Sequence, residues 1–195
     1  MARAVAAISA GIVLVLNLTT PAPADSLADA VAAYRRADYA SALRLYHPLA
    51  EQGLAIAQFN VGLMHDIGQG VPQNSREAFK WYRLAADQGR PDAQYQLGHL
   101  YYKQDDYTEA AKWFRLAAEQ GRADAQSSLG AMYAEGEAGP QDLVQALKWF
   151  ILAAAQNHKE ATENREKAVL IMTARQVAEA QKLANESKAR TQSTR

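Results

Sequence analysis

Apolar and small residues recur along this chain at helical spacing, in one stretch that occurs three times. Residues 78–89 read AFKWYRLAADQG, residues 110–121 read AAKWFRLAAEQG and residues 146–157 read ALKWFILAAAQN. In the first copy Ala78, Trp81 and Tyr82 fall at positions i, i+3 and i+4, and Ala85 follows at i+7. This spacing places the four side chains on one face of a helix, so each copy predicts one amphipathic helix.

A second pattern precedes each copy and predicts a partner helix. Residues 57–62 read AQFNVG, residues 93–98 read AQYQLG and residues 125–130 read AQSSLG. The small residues at the first and sixth positions allow neighbouring helices to approach closely. Glycine costs a helix about 1 kcal/mol relative to alanine, so its recurrence requires a packing reason. Each repeat is therefore predicted to be a pair of helices.

The spacing between equivalent residues alternates for a simple reason. Trp81 and Trp113 are 32 residues apart, whereas Trp113 and Trp149 are 36 apart. Repeats one and three carry long turns, GQGVPQ at 68–73 and GEAGPQ at 136–141, where repeat two has only KQD. A length that varies at one point marks a loop between fixed elements. Self-similarity at this period predicts a stacked-repeat protein.

Local signals at the helix ends agree with these boundaries. The predicted N-caps of the second helices are Asn74, Asp106 and Asp142. Three residues further on, a capping box is completed by Glu77, Glu109 and Gln145. The positions just past these helices favour a left-handed backbone and are held by Gly53, Gly89, Gly121 and Asn157.

The array extends beyond the three clear repeats at both ends. Residues 38–46 match residues 106–114, which predicts a leading repeat with Pro48 kinking its second helix or opening the last turns. Two further helices, near 159–170 and 174–185, are predicted to cap the array. The predicted divisions are a signal peptide at 1–24, a degenerate repeat at 25–53, repeats at 54–89, 90–121 and 122–157, capping helices at 158–186 and a flexible tail at 187–195.

The N-terminal residues have the pattern of a secretory signal. Arg3 precedes an apolar run over 4–18, and Ala22 and Ala24 are small residues at the positions that a signal peptidase reads. Cleavage would make Asp25 the mature N-terminus. The alternative is an N-terminal anchor in the inner membrane, although the run is shorter than the roughly 20 residues of a spanning helix. We therefore expect a periplasmic or secreted protein.

Charge and composition exclude several classes of protein and site. The chain has 21 basic and 21 acidic residues, so it lacks the basic surplus of a nucleic-acid binder. It has no cysteine, which excludes disulfides and thiolate metal sites. The four histidines lack metal-ligand spacing, and no nucleophile elbow or phosphate loop is present. We predict no catalytic residue, no metal, no cofactor and no obligate oligomer.

With these motifs in view, the chain resembles the Sel-one-like repeat family, a relative of tetratricopeptide repeats. The matching elements are the AQxxLG opening, the GVPQ turn and the KWYxxAAxQG close. The resemblance covers about residues 26–186. It implies an all-α fold, a right-handed α/α solenoid, and a scaffold or adaptor that binds a protein or peptide in a concave groove. A membrane-associated partner is compatible with this function.

Two other functions remain open. A cysteine-rich branch of the family is linked to penicillin binding and weak β-lactam hydrolysis, which would imply a cell-envelope hydrolase with a glycan or peptide substrate. The absence of cysteine argues against that branch. The second alternative is a structural spacer whose partner contacts the convex face, and a large apolar patch there would support it.

Six residues on the first helices are candidates for partner contact. In the related tetratricopeptide fold these helices line the concave face, and the spacing i, i+4, i+7 places each trio on one side of its helix. The candidates are Phe59, Leu63 and Asp66 from repeat one and Tyr95, His99 and Tyr102 from repeat two. Tyrosine combines a large apolar body with a polar tip, which suits recognition. The alternative for these aromatic residues is packing between repeats.

Overall fold

A computed structural model describes residues 23–193, and the side chains from 26 to 191. Over that range the ordered elements are ten α-helices, with no β-strand. They are α1 Pro23–Arg35, α2 Tyr39–Glu51, α3 Ala55–Ile67, α4 Ser75–Asp87, α5 Pro91–Tyr102, α6 Tyr107–Glu119, α7 Ala123–Glu135, α8 Leu143–Ala154, α9 Lys159–Ile171 and α10 Ala174–Ser193. The predicted signal segment falls largely at 1–22, outside the described residues.

The helices stack in chain order as pairs. Helices α1 and α2 form the first pair, and α3–α4, α5–α6 and α7–α8 form the next three. Each pair packs on the following one through its second helix, and α9 packs on α8 as the first helix of a further repeat would. This nearest-neighbour arrangement is that of a solenoid, so the predicted all-α repeat architecture is confirmed.

The last helix differs from the prediction in both length and place. The sequence assigned 187–195 to a flexible tail, but α10 continues to Ser193, and the Thr191 hydroxyl donates to the carbonyl of Ser187 at 3.1 Å. The helix packs along α8, where Ala184 joins the core beside Trp149 and Leu152. The predicted tail was wrong because the helix that packs along α8 continues past residue 186 to Ser193.

Pro48 does not open the helix that contains it. Helix α2 runs without interruption to Glu51, and the Gln52 amide donates to the Pro48 carbonyl at 3.1 Å. Proline removes one hydrogen bond from a helix, but neighbouring residues Tyr46 and Leu49 are buried against the core. Tertiary packing therefore holds the last turn closed, and the expected opening was wrong.

The predicted N-caps are confirmed, but the capping boxes are only half formed. The Asn74 side chain accepts hydrogen bonds from the amides of Arg76 and Glu77. The backbone amide of Asn74 donates to the carbonyl of His65 in the preceding helix at 2.8 Å. This amide is therefore not bound by the Glu77 side chain, as a complete capping box would require. A complete box occurs at Thr173, whose amide donates to Gln176 at 2.9 Å.

The recurring glycine of the first helices is explained by packing, although glycine lowers the stability of a helix. A Cβ on Gly62 would lie 2.8 Å from the ring of Tyr82, and one on Gly98 would lie 2.7 Å from the ring of Phe114. Gly130 stands in the same relation to the ring of Phe150. The glycine lets the two helices of each repeat close around an aromatic ring.

A buried glutamine in each first helix joins successive repeats. The Gln94 amide group donates to the Ala86 carbonyl at 3.3 Å, and its oxygen accepts from Gln120 at 2.7 Å. Gln58 and Gln126 make the equivalent bonds. Each glutamine adds a second hydrogen bond to a carbonyl at the end of the preceding helix, which already accepts from a backbone amide of the turn, and so ties two successive repeats together.

Candidate partner-binding face

The six predicted contact residues lie on α3 and α5, and all are half-buried. They are Phe59, Leu63, Asp66, Tyr95, His99 and Tyr102. The equivalent positions on α7 hold Ser127, which is buried, and Ala131 and Ala134, which are half-buried. We call the surface formed by these nine positions the first-helix face. Its side chains change from repeat to repeat, whereas the residues beneath them recur.

Arginines that the sequence did not single out cover two of the predicted aromatic residues. The guanidinium of Arg90 lies 5.1 Å from the ring centre of Phe59, and that of Arg122 lies 4.9 Å from the ring centre of Tyr95. Both distances are within the range of a cation–π contact. The rings are thereby tied to the start of the next repeat.

The same arginines form a line of ion pairs along the starts of the first helices. Asp92 binds both Arg90 and Arg122, and Arg122 also binds Asp124 at 2.9 Å. His158 lies 3.4 Å from Asp124 at the next step. The groups are partly exposed, so each pair contributes little stability alone. They order the edge of the first-helix face.

The charge of Asp66 in repeat one acts on His99 in repeat two. The Tyr82 hydroxyl donates to Asp66 Oδ2 at 3.4 Å. Burial lowers the pKa of His99 and nearby Lys103 lowers it further, while Asp66 acts in the opposite direction. A carboxylate, a phenol and an imidazole are thus grouped where α3, α4 and α5 meet.

Tyr95 packs against the core on one side and is partly exposed on the other. Its ring is 5.6 Å from that of Phe114 and 6.3 Å from that of His99. Burial raises the pKa of its phenol. The contact with Phe114 is a packing contact, as the alternative interpretation expected, but the side chain remains half-buried at the surface.

Tyr102 reaches across to the long turn of repeat three. Its hydroxyl donates to Glu137 Oε1 at 3.2 Å, and its ring packs edge-on against Tyr107 at 5.2 Å. Burial and the Glu137 carboxylate raise the pKa of Tyr102 to about 12. Burial also raises the pKa of Glu137, and the like charges of Glu135 and Asp105 add to the effect.

A pocket of about 150 Å³ opens beside this hydrogen bond. We call it the acidic pocket because two carboxylates lie on its wall. It is lined by Tyr102, Phe114, Ser127, Ser128, Ala131, Met132, Glu137 and Glu160. Helix spacing alone does not predict this pocket, although the sequence carries one signal: Glu137 replaces the neutral Gln69 of the equivalent turn in repeat one.

The described residues offer surfaces for binding but no metal centre. Between 23 and 193, no three histidine or carboxylate side chains converge as ligands of a metal ion. In the same range, no helix combines the length and the apolar character needed to cross a bilayer. The chemistry present on the first-helix face and along its edge consists of aromatic rings, arginines and carboxylates, which are groups that recognise other molecules by contact and charge.

Comparison with known proteins identifies the repeat. Sel1 repeats match residues 32–54, 55–89, 91–121 and 123–158, which together make up more than half of the chain. The chain belongs to the Sel1 repeat family. The matches coincide with the helix pairs α1–α2 to α7–α8, apart from the start of α1, so the predicted family is confirmed. Proteins of this family generally mediate protein–protein interactions and are typically non-catalytic.

Individual relatives agree on the fold. The crystal structure of a Sel1 repeat protein from Oxalobacter formigenes superposes with a TM-score of 0.71 at 29% identity, covering 87% of this chain and 77% of that one. A sel1-like repeat-containing protein, L21, of Acanthamoeba polyphaga mimivirus is 35% identical over 71 residues, or 34% of this chain. An F-box protein of Arabidopsis thaliana is 38% identical over 64 residues, or 33% of this chain. The matched segments span only 13% and 18% of these two longer relatives.

Proposed function

We propose that this Sel1 repeat protein is a non-catalytic interaction module of the bacterial cell envelope, which holds a peptide or partner domain on its first-helix face. The proposal is carried by one contrast within the repeats. The buried frame keeps the same alanine, glutamine and glycine in α3, α5 and α7, whereas the first-helix face changes from Phe-Leu-Asp to Tyr-His-Tyr to Ser-Ala-Ala. A surface that varies over a constant frame is how repeat proteins encode recognition.

The setting in the envelope is supported by the sequence of residues 1–24. The apolar run and the small residues before Asp25 have the order of an exported protein's signal. The absence of cysteine is compatible with either a reducing or an oxidising compartment. Fractionation of cells that carry a C-terminally tagged copy would test this part, and a tag found only in the cytoplasm would contradict it.

Site-specific photo-crosslinking in intact cells tests the binding face. A photoreactive phenylalanine analogue would replace Leu63 on the first-helix face or Leu116 on α6 as the matched control. Leu63 is half-buried and Leu116 is 44% exposed, so both positions can carry the probe near the surface. We expect a discrete crosslinked partner from position 63 and none from position 116. Crosslinking from position 116 alone would favour the structural-spacer alternative.

A double substitution separates partner contact from packing. Tyr95→Ala with Tyr102→Ala removes the two tyrosines that repeat two contributes to the first-helix face, and we expect the crosslink from position 63 to be lost while helicity, measured by circular dichroism, is retained. Loss of helicity instead would show that these tyrosines serve the core. Turnover of a β-lactam or cell-wall substrate by the purified protein, abolished by the same substitutions, would overturn the non-catalytic proposal.

A further inference from the structure

The acidic pocket exists because repeat three departs from the other repeats. Phe59 and Leu63 of repeat one correspond to Ser127 and Ala131 of repeat three, and Asn60 corresponds to Ser128. In repeat one, large side chains therefore fill the space that stays open beside the small side chains of repeat three. The opening of about 150 Å³ is roughly the volume that accepts one small molecule or side chain.

The same departure makes the pocket acidic. In repeat one, the Tyr34 hydroxyl donates to Gln69 Oε1 at 2.7 Å, and in repeat three the Tyr102 hydroxyl donates to Glu137 Oε1 at 3.2 Å. The same hydrogen bond between a tyrosine and a long turn thus occurs twice, 68 residues apart. Its acceptor is the neutral Gln69 in repeat one and the charged Glu137 in repeat three. A hydrogen bond from a phenol requires only the neutral acceptor, so the charge of Glu137 has no structural need here.

The negative charge of the pocket is not neutralised by the protein's own described cations. Among the residues from 26 to 191, no lysine, arginine or histidine forms an ion pair with Glu137 or Glu160. Arg122 lies over Tyr95 and is held by Asp92 and Asp124. The charges that raise the pKa of Glu137, those of Glu135 and Asp105, are also negative.

Two polar groups of the pocket wall also lack partners. Ser127 is only 4% exposed, it lines the pocket, and its hydroxyl has no hydrogen-bond partner among the described residues. Glu137 Oε2 is buried and likewise has no partner there. Buried polar groups normally find a partner, so the unpartnered carboxylate oxygen of Glu137 beside this opening indicates a donor that comes from outside, and the Ser127 hydroxyl can accept from the same donor.

We infer that the acidic pocket binds the basic side chain, lysine or arginine, of the protein or peptide partner. The ammonium or guanidinium would donate to Glu137 Oε2 and approach Glu160, and the aliphatic stem would lie against Met132 and the rings of Tyr102 and Phe114. Charged hydrogen bonds and an adjacent aromatic ring both favour a cation in such a site. This inference rests on the proposed function and gives the partner a defined chemistry at one position.

The test uses the full-length protein and two small probes that differ by the presence of the side-chain ammonium group. Nα-acetyl-lysine methylamide and its uncharged counterpart, Nα-acetyl-norleucine methylamide, would be titrated to millimolar concentration while amide chemical shifts are followed by NMR. We expect saturable shifts at the amides of Ser128, Ala131 and Glu137 with the lysine probe. Norleucine should bind at least ten-fold more weakly. Equal responses to the two probes, or no response to either, would overturn the inference.

Two variants taken from the chain's own repeat one provide controls. Glu137→Gln installs the residue found at position 69 and keeps the acceptor for the Tyr102 hydroxyl, whereas Ala131→Leu installs the residue found at position 63 and fills the pocket. Each variant should weaken the lysine probe at least ten-fold. Unchanged binding by Glu137→Gln would sink the inference even if Ala131→Leu failed to fold.

Panning a random peptide library separates the inference from the proposed function. Peptides that bind the first-helix face should carry lysine or arginine at one fixed position, and the Glu137→Gln protein should lose this preference. Peptides that bind this face without any such preference would contradict the acidic-pocket inference and leave the proposed function standing. Lysine-probe binding without any selected peptide would contradict the peptide-binding proposal alone.

Discussion

At the scale of single residues, the glycine–aromatic contact decides how tightly each repeat closes. Gly98 faces the ring of Phe114, and the space between them is too small for a methyl group. Glycine weakens the isolated helix, but it permits burial of an aromatic side chain that contributes far more to stability. Glycine is therefore required at position 98 by the aromatic ring of the second helix, and not by the conformation of its own helix.

The first prediction concerns this contact. Gly98→Ala should reduce the free energy of unfolding by about 1–3 kcal/mol, because the added methyl group overpacks the core. Urea denaturation followed by circular dichroism would measure it. Phe114→Leu in the same chain should recover part of the loss by removing the ring that the methyl group meets. An unchanged midpoint for Gly98→Ala would show that the two helices can separate at little cost.

The second prediction concerns pH. Burial lowers the pKa of His65 and His99, so the folded protein binds these protons less readily than the unfolded chain. The stability they contribute is present above the usual histidine value of about 6.5, declines as pH falls below it, and is gone below the folded pKa. We expect the free energy of unfolding to fall between pH 7.5 and 5.5.

Substitution of both histidines provides the control for this pH dependence. His65→Gln with His99→Gln should flatten the decline, because glutamine does not titrate. His47 lies half-buried on α2, 3.5 Å from Glu51, and His47→Gln serves as the comparison variant. A decline that persists unchanged in the double variant would assign the pH dependence to other groups.

At the scale of elements, α10 follows α9 where a further repeat would have its second helix, but it packs along α8. In repeats one and two, Leu84 and Leu116 are 41% and 44% exposed on the second helices. The equivalent Leu152 on α8 is only 7% exposed, because α10 lies over it. The sequence carries a sign of this cover, since Arg83 and Arg115 correspond to the apolar Ile151.

The third prediction tests that cover. Ala184 is fully buried between α10 and α8, so Ala184→Arg would place an unpaired charge in the core. Because burying such a charge costs more than the contact of one helix supplies, we expect α10 to detach. Limited proteolysis should then cut between Ile171 and Ala184. Gln181→Arg, at an exposed position of the same helix, should leave the cleavage pattern unchanged.

At the scale of the whole molecule, stability is a sum over neighbouring repeats. Each helix pair packs on the pair before and the pair after it, so the inner pairs α3–α4 and α5–α6 have support on both sides. The leading pair α1–α2 has a neighbour on one side only within the described residues. Local opening should therefore begin at the ends of the array.

The fourth prediction follows from that difference. Native-state hydrogen exchange should be slowest in the inner helices α4 to α7 and fastest in α1 and at the end of α10. Mass spectrometry of peptic fragments would resolve these segments. Uniform protection along the array would contradict nearest-neighbour stability and indicate a single cooperative unit.

The sequence predicted the repeat frame well because its signals are local. Helix spacing, N-caps such as Asp106 and left-handed positions such as Asn157 each depend on a few adjacent residues, and the structure confirms them. The capping boxes, Pro48 and the end of α10 were predicted less well, because in each case a contact from another helix changed the local outcome.

The candidate site was predicted only in part. Phe59 and Tyr95 are half-buried on the first helices, as the helix spacing required, and their role in binding stays a prediction. The arginines that cover them were missed because a residue at a helix start shows no partner until the next repeat is placed beside it. Period and spacing give the position of a side chain on its own helix, but not its neighbours across repeats.

The amino-acid sequence by itself determined that this chain is a stack of Sel1-type helix pairs, because each pair is specified by residues close together along the chain. Only the tertiary structure decided where α10 lies and where the acidic pocket opens. Glu137, Tyr102 and Ser127 come from separate elements, and their distances depend on how two repeats are packed. Non-local contacts of this kind are set by the burial and fit of the whole stack.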